Sequence, residues 1–87
     1  MTSQEAVRLI RSLAKLERVR FSSHAEDEAD RLGVAFVDVV FALAHAGGCV
    51  WQPDRDTWKV KGADRFGVTL VVIVEIQDDL IVVTVFD

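Results

Sequence analysis

Apolar residues recur at helical spacing in the first half of the chain and at strand spacing in the second. The period changes once, near Gly47-Gly48. Ala6, Leu9, Ile10, Leu13 and Leu16 fall on one side of a helix expected over about Gln4 to Arg18, with Thr2 or Ser3 as its cap. A second helix is expected from Ser23, where Ser23 and Glu26 have capping-box spacing, to Gly33, a residue suited to a left-handed C-terminal cap. A third, from about Phe36 to His45, is almost wholly apolar and is expected to be the buried one.

Four strands follow in the pattern: Cys49 to Gln52, Trp58 to Lys61, Val68 to Ile76 and Leu80 to Phe86. Pro53-Asp54-Arg55-Asp56, the polar stretch Gly62 to Gly67 and Gln77-Asp78-Asp79 connect them. Connections this short predict a meander of antiparallel neighbours. The expected fold is therefore α+β, a single domain over 1–87. Two or three helices (about 4–46) precede a four-stranded antiparallel sheet (about 49–86).

The last two strands lack the apolar–polar alternation of a half-wetted sheet. Val68, Leu70, Val72, Val74 and Ile76 point one way, and Val71 and Ile73 the other. Leu80, Val82 and Phe86 are expected to oppose Ile81, Val83 and Val85. Both faces thus call for cover, the second from helix 1, a partner protein or a second copy of the chain.

Composition narrows the function. A chain of 87 residues holds one domain, and 51% hydrophobic content is high for that size. The net charge of −4 speaks against bulk nucleic-acid binding, so any phosphate contact must come from a local patch. Arg8, Arg11, Lys15 and Arg18 form one such stripe, read either as a solvated helix face or as a phosphate track. The longest apolar run, Val68 to Val74 with Thr69 inside it, falls well short of the roughly 20 residues of a membrane helix. Cys49 stands alone and no leader pattern occupies Met1 to Ile10, which predicts a reducing cytoplasm.

Few residues offer chemistry. His24 and His45, with one cysteine, lack metal-ligand spacing, so no metal or other cofactor is expected. His24 falls in the first turn of the second helix, where the helix dipole disfavours its cationic form. It is either a general acid–base or a helix-start residue bonded to a neighbouring loop. His45 reads as a partner for the last helix carbonyls. Lys59 and Lys61 share one strand face and either clamp a phosphate, with Arg65 joining from the adjacent loop, or guard an edge strand. Thr84 is a polar residue in a strongly apolar strand, and its hydroxyl needs a partner if buried.

The segments Phe21-Ser22-Ser23-His24-Ala25, Arg31-Leu32-Gly33-Val34, Asp38-Val39-Val40, Trp58-Lys59-Val60-Lys61-Gly62, Gly67-Val68-Thr69-Leu70 and Val83-Thr84-Val85-Phe86 carry a resemblance. In order and spacing they resemble the bacterial family catalogued as domain of unknown function 4258, over about Arg20 to Phe86. That family is similar to RelE-type ribonuclease toxins. The resemblance implies metal-free RNA cleavage, in which the 2′-hydroxyl attacks the adjacent phosphate, and pairing with a cognate antitoxin. It implies acid–base work for His24, catalytic roles for Lys59 and Thr84, and substrate contacts for Lys61, Arg65 and Arg31. The chain departs from the family at Glu26, Glu28 and Leu32, where arginines are usual, and at Ala35, where Ser or Thr caps the third helix. Those carboxylates motivate the alternative of a non-catalytic protein-binding module acting through its apolar sheet.

Overall fold

The computed structural model describes residues 1–86. Its elements are α1 (Ser3–Lys15), β1 (Val19–Phe21), α2 (Ser23–Leu32), α3 (Phe36–Ala44), β2 (Gly48–Gln52), β3 (Thr57–Ala63), β4 (Thr69–Ile76) and β5 (Leu80–Phe86). The α+β class, the helices before the main sheet and the meander of β2 to β5 agree with the expectation. The sheet, however, has five strands in the order β1-β5-β4-β3-β2, and β1 runs parallel to β5. A run of Val19-Arg20-Phe21 is too short to show a period of its own. It becomes a strand because β5 supplies the hydrogen-bonding partner, with Ser22 N–H donating to Val82 O and Leu80 N–H to Arg18 O at its two ends.

Helix α1 opens with a capping box. Thr2 Oγ1 accepts from Glu5 N–H at 3.1 Å, and Glu5 Oε1 accepts from Thr2 N–H at 3.0 Å. Hydrogen bonding from the Thr2 backbone, then from its side chain, holds the Glu5 carboxyl below its ordinary range. The helix stops three residues before the expected Arg18 because Glu17 turns left-handed (φ 58°). Arg18 N–H then bonds Leu13 O and Glu17 N–H bonds Ala14 O. The basic stripe is consequently broken: Arg11 turns in to donate to Ala46 O, and Arg18 leaves the helix to pair with Asp79 at 2.8 Å.

The cap of α2 is Ser22 rather than Ser23, its hydroxyl accepting from Ala25 N–H at 3.1 Å, so the expected Ser23–Glu26 box does not form. Gly33 ends that helix in the left-handed conformation (φ 69°). Helix α3 buries Val39, Ala42 and Leu43 but leaves Phe36 and Val37 about half exposed, so it is buried on one side only.

One core lies between the helices and a single sheet face. Ala6, Ile10, Leu13 and Ala14 of α1, Ala25 of α2 and Val39 and Leu43 of α3 meet Val60, Leu70, Val72, Val74, Leu80, Val82 and Val85. Gly62, expected in a loop, lies within β3, where its missing side chain lets the α3 backbone at Ala42 approach. A further correction concerns β5. Pairing steps from Ile73–Thr84 to Val74–Val82, skipping Val83, which marks a bulge. Side-chain parity flips there, so Val85 joins the core and Phe86 points to the other face.

Candidate functional site

Among the described residues no helix packs over the second sheet face; α1 packs with α3 on the core side. Register places the open face residue by residue. Val50, Lys59, Ile73 and Thr84 form one row across β2 to β5, and Gly48, Lys61, Val71 and Phe86 form the next. Ile73 is buried in the middle of the face at 8% exposure, flanked by half-buried Val71, Ile81, Val83 and Thr84. Lys59 and Lys61 are exposed on one flank. Thus Lys59, Lys61 and Thr84 share one surface, with Lys59 and Thr84 two strand spacings apart, roughly 9.6 Å.

The opposite flank is α2, which takes the place beside β5 where β1 ends at Phe21. The Ser22 hydroxyl donates to Val83 O at 3.3 Å, tying the start of α2 to the bulge next to Thr84. His24, Glu28, Arg31 and Leu32 follow one another at helical spacing along one side of α2. Glu28, Arg31 and Leu32 line a hollow with Val85 of the core and Phe86 of the open face, at the end of β5.

His24 is exposed, and its Nε2 lies 2.7 Å from Glu28 Oε1, one helical turn on. That oxygen is sealed from solvent and makes no well-aligned hydrogen bond. A buried carboxylate oxygen without a bond is costly, and His24 Nε2 is the polar group set beside it. With Nε2 turned to Glu28, Nδ1 is the ring nitrogen left for another molecule. Glu28 is the residue that sequence reasoning undervalued. The i,i+4 spacing from His24 is visible in the sequence, but there Glu28 counts only as a departure from the family pattern, not as a partner of the imidazole.

Arg65 does not join the lysines. Its Nε and a terminal nitrogen donate to the two oxygens of Asp38 at 2.8 and 3.2 Å, on the helix side of the sheet. The guanidinium holds the nearly buried Asp38 carboxyl below its usual range and is itself pushed up. The fork explains how α3 starts without a side-chain cap at Ala35: Asp38 in its first turn is fixed from the β3–β4 loop.

Other candidates resolve structurally. His45 Nδ1 lies 2.9 Å from Phe41 O, in keeping with its expected helix-end role. Cys49 is half-buried near Ser3 O, and burial raises its thiol pKa, the reverse of an activated nucleophile. Among the described residues, no three His, Cys, Asp or Glu side chains converge as metal ligands, and no helix is long and apolar enough to cross a membrane. A groove of about 870 Å³ beside Trp51, Trp58 and Gln77 has neither His24 nor the lysines in its lining. No protein-family model, curated protein or solved structure matches this chain.

Proposed function

We propose that this protein is a cytoplasmic, toxin-type endoribonuclease of a toxin–antitoxin pair, with the RelE-like fold that its motifs resemble. One observation carries the reading: Lys59, Lys61 and Thr84 share an open sheet face bordered by the helix that carries His24 and Glu28. A single strand of RNA laid across that face meets two ammoniums on one side and an oriented imidazole on the other.

In this mechanism His24 Nδ1 removes the proton of a ribose 2′-hydroxyl. The freed oxygen attacks the adjacent phosphorus, and the bond to the 5′-oxygen of the next nucleotide breaks. The products are a 2′,3′-cyclic phosphate and a 5′-hydroxyl. Lys59 and Lys61 neutralise charge on the pentacoordinate phosphate, and one of these ammoniums supplies the leaving oxygen with its proton. Thr84 contacts the phosphate from the last strand, and Arg31 holds the RNA beyond Phe86. Arg65 is withdrawn from this role by Asp38.

A second reading rests on a different observation. Val50 and Phe86 are 64% and 46% exposed at either end of the apolar rows, a surface that also suits a protein partner. Expression without an antitoxin separates the two. Growth arrest with loss of full-length RNA, abolished in His24→Ala, supports the ribonuclease. Normal growth and intact RNA in the wild type leave the binding module.

A further inference from the structure

The two ends of the sheet are finished differently. β1 is only three residues long, and its flank carries Arg18 and Arg20, both directed at Asp79. Short, charged edges of this kind discourage another strand from joining. At the other end β2 has the sequence Gly-Cys-Val-Trp-Gln, with no charge and no proline, and it pairs with β3 in unbroken register from Gly48–Lys61 to Gln52–Thr57. Among the described residues no strand lies beyond it. Alternate N–H and C=O groups of β2 therefore face outward unpaired.

The side chains around this edge have a definite character. On the core side Trp51, opposite Trp58, is 41% exposed and offers an apolar shelf. On the open side Gly48 lies opposite Lys61 and Val50 opposite Lys59. A Cβ at Gly48 would meet nothing within 4 Å, so Lys61 has a clear path over β2. Gly47, Gly48, Cys49, Val50 and the two lysines together line a hollow of about 500 Å³ along this edge. A strand added beside β2 would lie two spacings, about 9.6 Å, from β3. A lysine side chain reaching over Gly48 or Val50 and a facing glutamate span that gap between them.

We infer that β2 is a docking edge for an extended segment of another protein, in which acidic side chains alternate with apolar ones. The main chain of the segment completes the sheet, its acidic residues meet Lys59 and Lys61, and its apolar residues rest beside Trp51. Positive charge on one side of the edge and an indole on the other select this pattern over a basic or uniformly polar strand. The inference stands whether or not the protein cleaves RNA.

The test is fluorescence anisotropy with the full chain and a labelled ten-residue peptide of alternating valine and glutamate, without RNA. Binding is expected, and it should weaken as salt rises. Joint replacement of Lys59 and Lys61 by alanine should weaken it about tenfold or more, as loss of two charge-assisted bonds requires. G48V, which adds a strand-forming side chain in open space, should weaken it while leaving the circular dichroism unchanged. N-methylation of alternate peptide amides should abolish it in one of the two registers. Equal binding of a valine–lysine peptide, or indifference to both N-methylation patterns, overturns the proposal. So does a peptide-free dimer in which the β2 amides become protected as protein concentration rises.

Discussion

Arg65 closes on Asp38 through two hydrogen bonds, 2.8 and 3.2 Å long, joining the β3–β4 loop to the first turn of α3. Because the guanidinium favours the ionised carboxylate, Asp38 has a lower pKa in the folded protein than the 3.8 of an ordinary aspartate. The unfolded chain then binds more protons as acid is added. The stability contributed by the pair is complete above about pH 5 and is lost as pH falls through the depressed folded pKa. Thermal melts should show the wild type losing midpoint from pH 5 to pH 3 more steeply than Asp38→Asn. Parallel curves would contradict this role.

Gly62 should tolerate no side chain. A Cβ there would lie 2.9 Å from the carbonyl carbon of Ala42 and closer still to its oxygen. Backbone cannot swing aside as a side chain can, so Gly62→Ala must push α3 from the sheet. Urea denaturation should register a loss of about 1–3 kcal/mol, the usual range for overpacking. At Gly33 alanine meets no atom within 4 Å but must hold φ 69°, which costs about 1 kcal/mol.

If Lys59 and Lys61 contact phosphates, each contributes to the salt dependence of RNA binding. Removing either should reduce the slope of log affinity against log salt by about 0.7. Filter binding of a short single-stranded RNA measures it. An unchanged slope places the phosphates elsewhere.

His24 and Glu28 should separate in their kinetic effects. Loss of the acid–base group in His24→Gln should lower kcat by about 10²–10⁴-fold. If His24 is the base and Glu28 acts through its imidazole, as proposed, Glu28→Gln should lower kcat less and leave KM unchanged. A rise in KM alone would assign Glu28 to RNA binding.

Much of this architecture was legible in the chain, for local reasons. Gly33 as a left-handed cap, β5 from Leu80 to Phe86 and the shared face of Lys59 and Lys61 all follow from near-neighbour patterns. What escaped depended on distant partners. Val19–Phe21 is a strand only because β5 lies beside it. Val85 faces the core only because a bulge at Val83 resets the alternation. Arg65 looked available for phosphate until folding brought Asp38, 27 residues earlier, against it. The site divides the same way: spacing grouped the lysines, whereas only the fold set α2 along the far side of the face.

The most direct measurement incubates the purified protein with a defined RNA in excess EDTA and analyses the ends of the fragments. Toxin-type cleavage through the 2′-hydroxyl should continue without metal and yield 2′,3′-cyclic phosphate and 5′-hydroxyl ends, with no product from His24→Ala. RNA left whole by the wild type, or cut to 5′-phosphate ends only when metal is supplied, would contradict it.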